Sequence, residues 1–431
     1  MTFTFAILYL LRAATDKPIM AGDSPVTLDQ AIRASLQRPV FSRTQQAVLD
    51  QSIAHTELLK TAQSPTFEIQ GLYNTGYNPG LGLSDVSLER EKLAFSANYY
   101  LYDAGMRSNR VQAAKSLAKA QTETNDSDKL TLIGNVTTVF FEGLSAKALL
   151  DVAQSQKADA AAHLVDVAER LKLGNTTKGE LLTAQSAVDS ADSAISLHKA
   201  DLESSEIKLA LLMGLDSKVD RPEPTIADEP NIAQADAKAL IVKAEANSPV
   251  LASLKDQKSS AQFSLQADKS TYRPVVSARG GAGFVGYQDP FSSGHSTSGG
   301  FANVGLQLVI PLFDKSAYHE TVREGKDIIA LKQLAYQDAT EQLETQIELA
   351  VSDLNTTKQA LKSAQSAESA ATEAYRLSRE RYSLGLGTQM DVLNALLTLT
   401  TARDTVAGTK LRLDSIILNL ERLTGEPLAQ K

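Results

Sequence analysis

"RYSLGLGTQMDVLNALLTL", residues 381–399, interrupts what is otherwise more than a hundred residues of helical pattern. It carries Gly385 and Gly387, and each glycine costs a helix interior about 1 kcal/mol relative to alanine. The chain is therefore expected to turn here. An earlier stretch, "RLKLGNTTKGELLTAQSAV" (residues 170–188), has the same character, and Gly174 precedes Gly385 by 211 positions. One turn geometry is built twice. Gly174, Gly385 and Gly387 are expected to supply backbone conformations that other residues reach only with strain.

The spacing recurs through most of the chain. "SLQRPVFS" around Pro39 matches "EANSPVLA" around Pro249, 210 apart, and "SPTFEI" at Pro65 matches "RPVVSA" at Pro274, 209 apart. "YLYDAG" at Asp103 matches "PLFDKS" at Asp314, and "LLMGL" at Gly214 matches "RLTGE" at Gly425, both 211 apart. Four anchors at near-constant spacing point to an internal duplication. We divide the chain into a leader (1–25), a first repeat (26–230) and a second repeat (231–431). The leader has a short apolar run, Phe3 to Leu11, too short to span a membrane. It fits the apolar region of a secretory signal without the usual basic start, with cleavage near Ala14 or Ala21; the alternative is a plain leader.

Each repeat has the same expected order. A helix comes first, over about 28–63 and 234–272, with Thr27 and Gln30 in a capping-box pattern and Pro65 and Pro274 as stops. Two alternating stretches follow. In the first repeat Phe67, Ile69, Tyr73 and Tyr77 share a face opposite Glu68, Gln70 and Asn74. Leu93, Phe95, Ala97, Tyr99 and Leu101 then oppose Lys92, Ser96 and Asn98. In the second, Val304, Leu306, Leu308, Ile310 and Leu312 oppose Asn303 and Gln307, while "VVSARGGAGFVGY" alternates more weakly. Period two over about ten residues suits a membrane barrel strand, although an ordinary half-buried sheet has the same period. The Gly-, Pro- and Ser-rich loops Asn78–Glu91 and Gln288–Gly300 are expected to face solvent. Asp103 and Asp314 are placed to cap long helices over about 104–173 and 315–384. Ile347, Val351, Leu354 and Leu361, then Ala364, Ala367, Ala371 and Ala374, give the second a coiled-coil-like stripe. Seventy residues make a rod of roughly 100 Å. Return helices are expected over about 178–213 and 388–423.

Composition agrees with long helices packed through small side chains. The chain has no Cys, no Trp and few aromatics, and its net charge of −8 makes nucleic acid an unfavoured partner. Without Cys there are no disulfides and no thiolate metal sites. "GAGFVG" (residues 281–286) fits a dinucleotide fingerprint, but it lies in an expected strand and leads into "YQDPFSSG" rather than a helix. Its glycines better mark close approach or bending. "GNTTKGEL" starts like a phosphate loop, but Glu180 stands where the lysine belongs. His55, His163, His198, His295 and His319 are scattered without ligand spacing. No catalytic arrangement, metal site or cofactor is expected.

Four strands cannot close a membrane barrel, which needs about eight or more, and an open edge in lipid leaves backbone groups unpaired. Membrane strands would therefore require assembly: two copies give eight strands with an interior filled by side chains, and three give twelve, wide enough to hold water. The rival is a soluble coiled-coil scaffold or stalk, which has no need of lipid-facing Phe95, Leu306 and Leu308 with Tyr99, Tyr102 and Tyr287 near strand ends.

From about Pro25 to Gly425 the chain resembles the outer membrane efflux protein (TolC-like) family. The resemblance is carried by "NSPVLASL", "PLFDKS" and above all "RYSLGLGTQMDVLNALLTL", together with the duplication. It implies a mainly α fold with a membrane β-barrel part. In such proteins a homotrimer forms a twelve-strand β-barrel in outer-membrane lipid and a twelve-helix α-barrel in the periplasm. It also implies a passive exit duct for efflux or type I secretion, without enzymatic activity, that works with a periplasmic adaptor and an inner-membrane transporter. The hairpin turns would form a periplasmic tip that closes the pore. Tyr382 then matches a latch tyrosine, Asp391 an aspartate of a cation-binding ring, and Glu180 an acidic latch partner. Gly387 stands where the family's type member has a latch arginine, and Asn394 where it has a second ring aspartate. The plainer readings are that Asp391 serves the helix dipole, Tyr382 packs against a neighbour, and Glu180 is a solvated charge.

Overall fold

The computed structural model describes residues 25–73, 88–216, 222–225, 236–288, 296–312 and 315–425. The leader, the tips of both strand loops, Asp314, Asn74 and Tyr77 lie outside the described residues, as does the side chain of Tyr287.

The described elements run α1 (Leu28–Gln37), α2 (Pro39–Thr61), β1 (Thr66–Tyr73), β2 (Leu88–Tyr102), α3 (Met106–Lys172) and α4 (Lys178–Met213). The same order follows in α5 (Ala237–Asn247), α6 (Pro249–Thr271), β3 (Val275–Gln288), β4 (Ser296–Val309), α7 (Lys315–Ser383) and α8 (Gln389–Thr424). The single helices expected over 28–63 and 234–272 are each split in two. Pro39 and Pro249 lack an N–H and push the preceding residue out of helical geometry, so Arg38 and Ser248 take ψ of 122° and 115°. Each proline then opens the next helix, where its missing donor costs nothing. The expected capping box is present: the Thr27 amide donates to Gln30 Oε1 at 2.9 Å, and the Gln30 amide donates to Thr27 Oγ1 at 3.4 Å.

The chain gathers into two compact units. One comprises Met1–Gln45, Asn125–Pro249 and Ala339–Lys431, and the other Gln46–Thr124 and Val250–Asp338. In the first, the cores lie between long helices. Ala160, Val167, Ala184, Val188, Ala371, Tyr375, Tyr382, Val392, Leu396 and Leu399 form one cluster among α3, α4, α7 and α8. Leu240, Ala244, Ile347, Val351, Leu354 and Ile417 belong to a second, and Val26, Val136, Phe140, Leu209 and Met213 to a third. Val26 is pinned by exchange with residues 222–225: its amide donates to the Glu223 carbonyl at 2.9 Å, and the Thr225 amide donates to its own carbonyl at 3.1 Å.

The other unit holds the sheet, which is antiparallel throughout in the order β1-β2-β3-β4. Ile69 pairs with Phe95, Phe95 with Ala282, and Ala282 with Ala302, so these four share a face with Phe67, Leu93, Phe284, Val304, Leu306 and Leu308. That apolar face is open to the surroundings; Val304 is 91% exposed and Ile69 75%. Glu68, Gln70, Lys92, Ser96, Asn98, Arg279, Asn303 and Gln307 lie on the opposite face. β4 stops at Val309, short of the expected Leu312, because Pro311 has no amide for a ladder. The weakly alternating β3 is a central strand. Gly283 is there for closeness, since a Cβ on it would lie 2.2 Å from the Leu93 carbonyl oxygen. At the end of β2, Asp103 caps α3: its Oδ2 accepts from the Arg107 amide at 3.1 Å and from Arg107 Nε at 2.6 Å. Among the described residues no helix is long and apolar enough to cross a membrane.

Candidate functional site at the hairpin turns

Both long hairpins turn by the same device. At the end of α3, the Gly174 amide donates to the Leu171 carbonyl at 3.0 Å and the Asn175 amide to Arg170 at 2.9 Å. At the end of α7, the Gly385 amide donates to Tyr382 at 3.0 Å and the Leu386 amide to Arg381 at 2.8 Å. This paired pattern needs a left-handed residue, and Gly174 and Gly385 both sit at φ 74°. Gly387 does not share that role. Its φ is not left-handed, and a Cβ there would meet Arg381 Cβ and the Tyr382 amide nitrogen at 3.4 Å, an ordinary contact. Its counterpart 211 positions earlier, Thr176, carries a side chain.

Two threonines then cap the return helices. The Thr177 hydroxyl accepts from the Glu180 amide at 3.2 Å, and the Thr388 hydroxyl from the Asp391 amide at 3.2 Å. Glu180 and Asp391 are thus equivalent first-turn acids. Asp391 also accepts from the Thr388 amide at 2.9 Å and its hydroxyl at 2.8 Å, while Glu180 accepts from the Thr176 hydroxyl. Hydrogen bonds from the Thr388 backbone and side chain, helped by the Arg381 charge, hold Asp391 below the usual aspartate range. Asp391 and Asn394 are both exposed, three residues apart on one face of α8.

Tyr382 is 7% exposed within the four-helix cluster. The Arg170 guanidinium lies 4.5 Å from its ring centre, and Arg170 Nη2 donates to the Ser383 carbonyl at 2.8 Å. Burial, then the nearby Glu180 charge, pushes the phenol up, while Arg170 pulls it back. The turns are tied again where Gln389 Nε2 donates to the Glu180 carbonyl at 2.7 Å. The structure therefore brings Tyr382, Glu180, Gly174 and Gly385 into one neighbourhood, with Arg170, Thr176 and Gln389. These three carry no local motif of their own. The 211-residue offset carried the signal, since it equates Arg170 with Arg381 and sets the two threonine-capped turns side by side.

The two turn-capped hairpins share one buried core. Among the described residues no cluster of His, Asp and Glu could hold a metal ion.

Comparisons with known proteins agree with this architecture. A family model described as outer membrane efflux protein matches residues 34–215 and 240–426. The pyoverdine export outer membrane protein OpmQ of Pseudomonas putida is 27% identical over 345 residues, which is 75% of this chain and 69% of that protein. The outer membrane protein TolC of Escherichia coli K12 is 24% identical over 398 residues, 82% of this chain and 73% of that one. Among solved structures, the outer-membrane channel OprN superposes with a TM-score of 0.79 at 17% identity, over 93% of this chain and 90% of that chain. VceC from Vibrio cholerae gives 0.78 at 15% identity, over 93% and 96%. At these identities the structures show a shared fold.

Proposed function

The chain belongs to the outer membrane efflux protein family, and we propose that three copies form a passive exit duct running from the outer membrane into the periplasm. The observation that carries this reading is the open four-stranded sheet. Its apolar face is exposed and its edges, β1 and β4, have no further strand among the described residues. In water such a sheet is an aggregation hazard, whereas in lipid an apolar face is favoured once the edges are paired. Joining β4 of one copy to β1 of the next satisfies both edges, and three copies give a twelve-strand barrel with polar residues inward. The same feature disfavours a soluble scaffold. The long hairpins would then line the periplasmic tube, and a periplasmic adaptor and an inner-membrane transporter would deliver the cargo.

In this reading the turn cluster is the gate. The ties from Arg170 to Ser383 and from Gln389 to Glu180 hold the hairpins together at rest, with Tyr382 packed between them. Asp391 supplies one carboxylate per chain, giving a ring of three at the mouth, and Asn394 adds no charge. The test is fractionation and sizing. The protein should partition with outer membranes and run as a trimer in mild detergent; a monomer that stays soluble without detergent would overturn the duct.

A further inference from the structure

We propose that His163 is a proton sensor for the contact between the two hairpins: protonation of its buried imidazole loosens the packing of α3 on α7 beside the turns. The inference rests on the reading of these turns as a gate.

His163 is 1% exposed, and its Nε2 has no hydrogen-bond partner. Its ring stands edge-on to that of Tyr382, with centres 5.3 Å apart. It lines a cleft with Asp166, Glu169, Arg170, Leu173, Arg379, Tyr382 and Ser383. The charges around it come from three helices. α3 supplies Asp166 and Arg170, α4 supplies Glu180, and α7 supplies Arg379. The nearby α7 phenols Tyr375 and Tyr382 are both pushed up by burial, Tyr375 to about 12, so both stay neutral and supply no counter-charge. On α8, Arg403 faces Asp159 and Tyr375. Of the nearby carboxylates, Asp166 is held by Arg379 at 3.4 Å and Glu180 accepts from the Thr176 hydroxyl, while Glu169 lines the same cleft. Protonation puts a third positive charge beside Arg170 and Arg379, on a ring whose Nε2 has no acceptor.

The direction follows from linkage. Burial first, then Arg379 and Arg170, hold His163 below its ordinary value of 6.5, against the pull of Asp166 and Glu180. Parted hairpins expose the imidazole and let it take a proton at its ordinary value. Packing is therefore fully favoured above that pH and weakens as pH falls below it. At pH 5.5 the packed state can lose at most about tenfold in population per chain, the limit when it binds no proton at all.

The chain has no cysteine, so nitroxide pairs can be placed on Leu173→Cys and Leu384→Cys, both exposed and one on each hairpin. The separation is read by electron–electron resonance on the full-length, reconstituted protein between pH 7.5 and 5.5. The separated population should grow toward acid in the parent and stay flat in His163→Phe, which keeps the edge contact but cannot titrate. His163→Gln is a second variant with the same expected flat response. No growth in the parent, or equal growth in both variants, overturns the sensor. Conductance is recorded in parallel. Separation that follows pH through His163 at constant conductance upholds the sensor and overturns the gate; conductance that tracks separation upholds both.

Discussion

Replacing Gly385 by alanine tests the turn geometry directly. Nothing lies within 4 Å of the Cβ that alanine would add, so the cost is purely conformational. At φ 74° an L-residue pays about 1–2 kcal/mol for the left-handed region. The penalty falls on the two hydrogen bonds that close the turn, from the Gly385 and Leu386 amides. If these amides exchange by local opening, 1–2 kcal/mol corresponds to roughly 5- to 30-fold faster hydrogen exchange. The assay is exchange mass spectrometry on peptides covering residues 380–390 of the intact assembly. Gly387→Ala is the internal control, because its φ is not left-handed and its Cβ meets only ordinary contacts. It should change exchange by no more than about twofold, corresponding to the ±0.5 kcal/mol of an unconstrained surface site. Equal acceleration in both variants, or none in Gly385→Ala, would refute the assignment of the strained conformation to Gly385 alone.

Asp391→Asn keeps an oxygen for the Thr388 cap but deletes the charge, so the trimer should survive while block by a trivalent cation and cation preference in planar bilayers disappear. In the parent, Asp391 titrates below the ordinary value of 3.8, so that block should persist unchanged from pH 7 to 5 and fail only in stronger acid. Gly283→Ala drives a Cβ into the Leu93 carbonyl, an overpacking cost of about 1–3 kcal/mol, and should lower the yield of assembled protein on gels. Gly305→Ala, with nothing within 4 Å, should not. Leu396→Ala opens a cavity in the four-helix cluster at about 2–5 kcal/mol and should lower the denaturant midpoint of the assembled protein.

Much of this was legible in the chain, and the parts that were not have physical reasons. The spacing of glycines and prolines marks both hairpins because backbone conformation is a local property. Thr27 with Gln30 announces a capping box, and alternation marks β1, β2 and β4. Pro39 and Pro249 mark the repeat, but a proline at the head of a helical pattern does not by itself say whether it divides one helix or opens a second. Gly387 and Gly385 look alike in sequence because composition does not separate a glycine needed for its φ from one in an ordinary conformation. Weak alternation hid that β3 is central, since its small residues answer to the neighbouring backbone rather than to a periodic face. Arg170, Gln389 and His163 escaped because they act across more than two hundred residues of sequence. No local pattern pairs Arg170 with the carbonyl of Ser383.

The two compact units are interleaved along the sequence, and this governs when they can fold. Neither can be completed from the first half of the chain. One waits for Ala339–Lys431, and the other for Val250–Asp338. The pairing of β2 with β3 joins Ser96 to Gly281, so the centre of the sheet cannot close until that late strand has been made. Most domains fold as they emerge during synthesis, N-terminal parts first. Here the order of segments delays that step by construction. The unit that carries the turn cluster stays unfinished until the final helices exist, which keeps that part of the nascent polypeptide open to the last.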